Sequence, residues 1–199
     1  PATRRPRGPW PPSTGRDKTL DVRTFVSIPI PNTSGLDPFM RDLKGIRGIK
    51  PSPTAQMHIT LKFIGDIPEE KVDVVEECVL KSVSGISKGR ISVKGTGAFP
   101  NQKAPRIIWA GVETSLPLEK MSADIGSRLE AEGIPFDTKP FKPHITVARV
   151  EGRPDISRIL HNYSATEFAS FICPAVLIMK SELSPKGATH TIMRMCELR

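Results

Sequence analysis

Two of the four histidines in this chain of 199 residues stand in identical His-Ile-Thr triplets, which begin at His58 and His144. Residues i and i+2 of a β-strand point to the same face of a sheet, so His58 projects with Thr60 and His144 with Thr146. Two imidazoles can serve as complementary acid and base near neutral pH, and hydroxyls can donate hydrogen bonds to phosphoryl oxygens. If the two pairs face each other, the set suits in-line displacement at phosphorus.

A metal site is the main alternative for a pair of imidazoles. Neither triplet has a carboxylate or a cysteine at ligand spacing, and two nitrogens are too few ligands, so no metal is predicted. The other two histidines, His161 and His190, lack the triplet. We expect them to lie on the surface or to be hydrogen-bonded elsewhere. A single His-x-Thr is often only a half-exposed polar face, but two copies at equivalent places argue against that interpretation.

The triplets occupy matching places in two similar halves of the chain. Each half reads as a strand, a helix, a strand with His-Ile-Thr, a helix opened by proline, and a further strand. The predicted strands cover 24–30, 58–64, 90–98, 107–112, 144–150 and 172–179, with another from about residue 189, and the helices cover 34–43, 68–83, 118–129 and 154–160. The repeat predicts an α+β fold of two pseudo-symmetric lobes, each with a largely antiparallel sheet and flanking helices. The triplets would then face each other across a cleft between the lobes.

The chain carries a formal net charge of +8, which favours an anionic partner such as nucleic acid. Half of that excess lies before residue 24, in a stretch with five prolines and almost no apolar periodicity. We therefore predict a disordered, basic, proline-rich tail over residues 1–22 and a single bilobal domain over 23–199. Within the domain the excess is ordinary, so the cations close to the triplets in sequence, Lys62, Lys142 and Arg149, carry more information than the net charge.

Composition also bears on the protein class. No apolar run approaches the roughly 18 residues that span a bilayer, and no apolar signal segment follows the N-terminal charges. We therefore expect a cytoplasmic protein without a transmembrane helix. The three cysteines, Cys78, Cys173 and Cys196, form no Cys-x-x-Cys pair. An odd count without that spacing argues against a disulfide framework or a zinc ribbon, and predicts buried, unreactive thiols.

Beyond the triplets, several short blocks resemble those of the two-histidine (2H) phosphoesterase superfamily. Within it, the chain resembles the LigT-like RNA 2′,3′-cyclic phosphodiesterases, also called 2′-5′ RNA ligases. The similar blocks are 23–28 (RTFVSI), 58–65 (HITLKFIG), 97–100 (GAFP), 141–149 (FKPHITVAR) and 180–183 (KSEL) with Gly187. The basic tail has no counterpart in the pattern. A second departure follows Gly187: where the family often has an aromatic residue, this chain has Ala188, Thr189 and His190.

The resemblance implies a bilobal fold with the active site between the lobes, and an enzyme that opens RNA 2′,3′-cyclic phosphate ends to 2′-phosphates. It implies that His58 protonates the departing 3′ oxygen and that His144 deprotonates the attacking water. Thr60 and Thr146 would hold the nonbridging phosphate oxygens. Arg149 would assist at the phosphate or the adjacent nucleotide, although strict alternation turns it away from His144, so a bulge or a strand end must restore its direction.

The resemblance also implies a reverse reaction, which joins a 2′,3′-cyclic end to a 5′-hydroxyl with the two histidines in exchanged roles. No cofactor is expected. Two other functions stay open: a non-catalytic RNA-end-binding module, and a phosphodiesterase that acts on a small cyclic nucleotide. The intact triplets argue against a pure binder, because binding needs no pair of proton-transfer groups. We expect RNA with a 2′,3′-cyclic phosphate end, such as a tRNA fragment, as the partner, no membrane partner, and a monomer.

Overall fold

The computed structural model describes residues 20–184 and 187–199. The predicted tail therefore lies almost entirely outside the described residues. Its last two residues, Asp21 and Val22, instead open the first strand, β1 (Asp21–Pro29). Val22 is buried. The first described strand thus begins two residues before residue 23.

Nine strands in the described residues form one antiparallel sheet, accompanied by four α-helices. The strands after β1 are β2 (Ile49–Pro51), β3 (His58–Pro68), β4 (Gly89–Phe99), β5 (Ile107–Thr114), β6 (His144–Val150), β7 (Glu167–Cys173), β8 (Ala175–Ser184) and β9 (Gly187–Glu197). The helices are α1 (Asp37–Lys44), α2 (Val72–Val83), α3 (Leu118–Ala131) and α4 (Ser157–Asn162). The predicted α+β class is confirmed.

Two details of the strand prediction differ from the structure. The single strand predicted over 172–179 is wrong, because the chain forms β7 and β8 with a break at Pro174. Proline has no N–H to donate to a β-ladder, which explains why the break falls there. The sequence pattern also missed β2, which has only three residues and pairs with β6.

The sheet consists of two halves that meet between the two His-Ile-Thr strands. The strand order is β7-β4-β5-β6-β3-β1-β8-β9, and β2 pairs with β6 outside this path. β3 and β6 are joined through one residue pair, Ile59 opposite Ile145. Each triplet strand has the opening strand of its own half beside it, β1 next to β3 and β5 next to β6. This arrangement is the two-lobed architecture that the repeat predicted.

The lobes do not coincide with the two halves of the sequence. β4, from the first half of the chain, lies beside β5, whereas β8 and β9, from the second half, extend the sheet beside β1. The helices also pack against elements from the other half of the chain. Phe39 of α1 packs against Tyr163 and Phe168, with ring centroids 4.8 and 5.7 Å apart, while α3 contacts β3. Each lobe is therefore built from both halves of the chain, which ties the lobes together.

A hydrophobic core supports the two central strands. Ile59 and Ile145 are both fully buried, and α2 buries the stripe of valines that its sequence predicted, including Val75 and Val79. Full burial of such a side chain is worth about 1.5–3 kcal/mol. Within the described residues, no helix has the length and apolarity needed to cross a membrane.

Candidate active site

The two triplets meet at the centre of the sheet. In an antiparallel pair with Ile59 opposite Ile145, the flanking positions place His58 next to Thr146 and Thr60 next to His144. Because side chains alternate between faces, these four lie on the face opposite the buried isoleucines. All four line one cleft of about 630 Å³. The structure therefore brings together the side chains that the sequence paired.

Both histidines are held in the same way by the main chain. The Nδ1 of His58 lies 2.7 Å from the carbonyl oxygen of Gln56, and the Nδ1 of His144 lies 2.6 Å from that of Lys142. A carbonyl oxygen can only accept, so each Nδ1 carries a hydrogen and donates it. In the neutral ring Nε2 is then the nitrogen that exchanges a proton. Each lobe thus supplies an imidazole with the same tautomer.

The two rings differ in their surroundings. His58 stacks on Phe25, with centroids 4.8 Å apart and an interplanar angle of 30°. Burial, reinforced by the positive charge that His190 and His144 can carry, lowers the pKa of His58 to about 4, although its hydrogen bond to Gln56 works in the opposite direction. His144 instead meets the ring of Phe99 edge-on, with centroids 4.9 Å apart. The two halves of the twofold arrangement therefore differ in the aromatic contacts of their histidines.

A β-bulge directs Arg149 into the cleft. Thr146 and Ala148 pair with successive residues of β5, so Val147 is an extra residue without a partner there. Val147 and Ala148 both face the core, fully buried, and the alternation then resumes with Arg149 exposed. Arg149 consequently lines the same cleft as His144. This is the irregularity that its predicted place near the phosphate required.

The other cations divide between the two faces of the sheet. Arg23 and Lys50 line the cleft, with the Arg23 guanidinium 4.8 Å from the centroid of the Phe63 ring. Lys62 does not, because it lies over the ring of Phe136, 5.0 Å from its centroid, where burial lowers the pKa of the amine. A second irregularity in β3 explains the difference, since the pairing with β1 skips the residue before Lys62. The positive charge of the cleft thus comes largely from residues that the sequence did not single out.

The expectation for His190 is wrong. His190 lines the cleft, and its Nδ1 is buried without a hydrogen-bond partner among the described residues. Its ring centroid lies 5.2 Å from that of His58. Sequence spacing gave no signal for this, because His190 reaches the site through the pairing of β8 with β1. His161, by contrast, is exposed on α4 as expected.

Comparison with known proteins identifies the family. A model described as LigT-like phosphoesterase matches residues 27–109. An RNA 2′,3′-cyclic phosphodiesterase of Archaeoglobus fulgidus is 32% identical over 179 residues, which cover 88% of this chain and 100% of that protein. The chain belongs to the LigT-like phosphoesterase family. A protein with the same name from Methanothermobacter thermautotrophicus is 30% identical over 194 residues. The alignment covers 90% of this chain and 100% of that protein.

Several solved structures share the fold. The protein TT0787 of Thermus thermophilus superposes with a TM-score of 0.75 at 29% identity, covering 89% of this chain and 98% of the other. LigT of E. coli, solved in complex with 3′-AMP, superposes with a TM-score of 0.66 over the same shares of the two chains. Because the second protein is only 17% identical to this chain, its similarity shows a shared fold alone.

In this LigT-like phosphoesterase the cleft combines hydroxyls, cations and three imidazoles, two from the triplets and one from His190. Within the part of the chain that the structure describes, no group of three or more histidine, cysteine, aspartate or glutamate side chains is arranged to hold a metal. The three cysteines are free and buried. Arg23 precedes the cleft-lining Phe25 by two residues of β1 and so shares its face, but only the pairing of β1 with β3 shows that this face borders the cleft.

Proposed function

We propose that this LigT-like phosphoesterase hydrolyses RNA 2′,3′-cyclic phosphate ends to 2′-phosphates, with His58 and His144 as acid and base. One observation carries the proposal: two imidazoles from opposite lobes, each with Nδ1 bound to a main-chain carbonyl, line the same cleft. In-line displacement needs a base on the attacking oxygen and an acid on the leaving oxygen, on opposite sides of phosphorus. Relatives at 30–32% identity carry the name of this activity.

In the reaction, His144 takes a proton from water through Nε2 while the water oxygen attacks phosphorus. The bond between phosphorus and the 3′ oxygen breaks, and His58 delivers a proton from its Nε2 to that oxygen. The products are a 2′-phosphate and a 3′-hydroxyl, and one water is consumed. Acid–base catalysis of this kind typically contributes about 10²–10⁴-fold in rate.

The environment of His58 suits an acid that is loaded by its substrate. In the free protein its pKa of about 4 keeps the ring neutral at pH 7. A cyclic phosphodiester carries a negative charge, and an anion beside a buried imidazole favours the protonated form. Substrate binding therefore raises the pKa of His58, and the ring takes up from solvent the proton that it later delivers to the 3′ oxygen. A low intrinsic pKa then favours transfer of that proton to the 3′ oxygen.

The remaining polar groups of the cleft act on the phosphate. The hydroxyls of Thr60 and Thr146 donate to its nonbridging oxygens, each beside the imidazole of the other lobe. Arg149 and Arg23 add guanidinium groups. Each guanidinium can donate two parallel hydrogen bonds to two oxygens of a phosphate. Donors fixed before substrate arrives stabilise the charge of the transition state without reorganisation. We assign no metal to the reaction.

Two broader assignments accompany the proposal. One chain supplies both histidines, so we propose that the enzyme works as a monomer on RNA ends such as those of tRNA fragments. Its three free, buried thiols fit the reducing conditions of the cytoplasm. The identical tethering of both rings also suits the reverse reaction, in which a 5′-hydroxyl replaces water and the two histidines exchange roles.

The test uses a short RNA with a 2′,3′-cyclic phosphate end and compares wild type with His58→Ala, His144→Ala and the control His161→Ala. Mass analysis of the product should show one added water with the wild type and the control, and an end group that is sensitive to phosphatase. Both cleft variants should lose activity while keeping the wild-type circular dichroism spectrum. Binding of the RNA without turnover by the wild type would favour the end-binding module, and turnover of cyclic mononucleotides alone would favour the small substrate.

A further inference from the structure

We propose that His190 is a positioning residue for His58, which holds that ring in the orientation from which its Nε2 addresses the substrate. The proposal deepens the proposed function and rests on it. It concerns the one cleft histidine in the described residues that lies outside the triplets, at the place where the family pattern and this chain differ.

Three aromatic rings contact one another at this site. His58 stacks on Phe25 at 30°, while His190 meets both rings edge-on, at 72° to His58 and 69° to Phe25. The centroid distances lie between 4.8 and 5.2 Å. Such edge-to-face and offset contacts are favourable arrangements for aromatic pairs. Phe25 therefore limits the tilt of the His58 ring, and His190 limits its sideways rotation.

The hairpin that carries His190 is also connected to the segment that holds His58. The main-chain carbonyl of Gln56 accepts the hydrogen bond from His58, and the side-chain amide of Gln56 donates to the carbonyl of Ala188. Ala188 lies two residues before His190 in β9. The ring contact and this amide bridge therefore act together, because both fix the β8–β9 hairpin against the segment before β3.

His190 can act in this way only if it stays neutral while His58 gains and loses a proton. Its Nδ1 is buried without a partner in the described residues, so a charged ring would bury an unsatisfied N–H. Burial lowers the pKa of His190 accordingly. The charged or titratable groups that face His58 in the cleft are His190, His144, Arg23, Lys50 and Arg149. A neutral His190 avoids adding one more positive charge to this set.

The experiment compares His190→Ala and His190→Phe with the exposed control His161→Ala. Removal of the ring in His190→Ala should lower kcat on a cyclic-phosphate RNA by about tenfold to a hundredfold, the scale of a misplaced catalytic group, with KM little changed. His190→Phe keeps a ring of similar size and should restore most of kcat. An NMR titration should show a raised His58 pKa in His190→Ala, because the ring becomes hydrated, and a low one in His190→Phe.

Two results would overturn the proposal. One is an unchanged kcat and His58 titration in His190→Ala, which would mean that the ring contact has no effect. The other is a His190→Phe variant as impaired as His190→Ala, which would assign a proton or hydrogen bond of His190 to the reaction itself. The NMR titration needs no turnover, so it tests the positioning role even if the wild type fails to hydrolyse the RNA.

A separate observation points to the path of the RNA body. A second groove of about 630 Å³ adjoins the cleft, and the segment 51–53 lines both. Arg41 and Lys44 of α1 line its other side, and both are exposed and form no ion pair within the described residues. The neighbouring Asp42 accepts a hydrogen bond of 2.8 Å from the Tyr163 hydroxyl through one of its two carboxylate oxygens. Asp37 of α1 also lines the groove, so its charged side chains are two cations and one carboxylate, which leaves a net positive charge beside the cleft.

We infer that the RNA on the 5′ side of the cyclic end crosses segment 51–53 and binds this groove through its phosphates. The cyclic phosphate is at the 3′ terminus, so the rest of the chain must leave the cleft on one side. A positively charged groove that follows the backbone is the usual means of holding a single strand without reading its sequence. The inference rests on the proposed function for the placement of the cyclic end.

The test is the double variant Arg41→Ala/Lys44→Ala, with Lys120→Ala/Arg158→Ala as a control of equal charge on exposed positions of α3 and α4. The double variant should raise KM for a ten-nucleotide RNA and reduce the salt dependence of log KM by about 1.4, the slope for two single-strand phosphate contacts. Hydrolysis of uridine 2′,3′-cyclic monophosphate should be unchanged, and it reports the acid–base chemistry of the cleft separately from binding of the RNA body. Equal effects on both substrates, or none on the RNA, would overturn the inference.

Discussion

Replacement of His58 by phenylalanine should remove a specific part of the pH dependence of folding stability. The unfolded chain binds a proton at His58 near the ordinary pKa of 6.5, whereas the folded protein binds it near 4. Between these values the unfolded state binds more protons, so stability falls as the pH falls through this window. The two values give a loss on the order of 2–3 kcal/mol at pH 4.5 relative to pH 7.5. Phenylalanine keeps a ring against Phe25 but cannot titrate.

The assay is urea unfolding of wild type and His58→Phe at pH 7.5 and pH 4.5, with His161→Phe as the control. The wild type and the control should each lose more stability than His58→Phe, by the amount calculated above. His190, whose pKa burial also lowers, is present in all three proteins, so its titration contributes to the loss in each of them. Inorganic phosphate at pH 4.5 should reduce the loss in the wild type, because an anion in the cleft favours the protonated ring. Equal losses in His58→Phe and wild type would refute the account of a buried, neutral His58.

Three further predictions concern the chemistry. His58→Ala should keep most of its activity on an aryl phosphodiester with a nitrophenol leaving group, which needs no acid, while His144→Ala should not; equal loss in both would contradict the assigned roles. Arg149→Met should lower kcat/KM by about tenfold or more for loss of a charge-assisted hydrogen bond, measured on the cyclic-phosphate RNA, and an unchanged value would remove Arg149 from the phosphate site. The wild-type rate should persist after dialysis against EDTA, and restoration by added metal of a rate lost to EDTA would show that the proposed site is incomplete.

Local pattern predicted the parts of the site that lie on one strand. The alternation in each triplet placed His58 with Thr60 and His144 with Thr146 on one face, and the repeat indicated that the two pairs would meet. These inferences needed no knowledge of strand order, since a period of two is set by the backbone itself. The position of Arg149 was harder, because the bulge at Val147 is a property of pairing with β5.

The residues that the sequence missed come from non-local pairing. His190 enters the cleft because β8, a strand of the second half, pairs with β1 of the first. Lys62 lies outside the cleft because of an irregularity in the pairing of β3 with β1. The exchange of strands between lobes is likewise invisible to a pattern that treats each half separately. Proximity in sequence was therefore a poor guide to which cations share the cleft.

The central claim is that His58 and His144 act as one acid–base unit, and a double-mutant comparison tests it most directly. The measurement is the rate of hydrolysis of a 2′,3′-cyclic-phosphate RNA by wild type, His58→Ala, His144→Ala and the double variant. Groups that act in one step show strongly non-additive losses. We predict that the double variant is no slower than the slower single variant. Losses that multiply in the double variant would show that the two histidines act independently and would contradict the account.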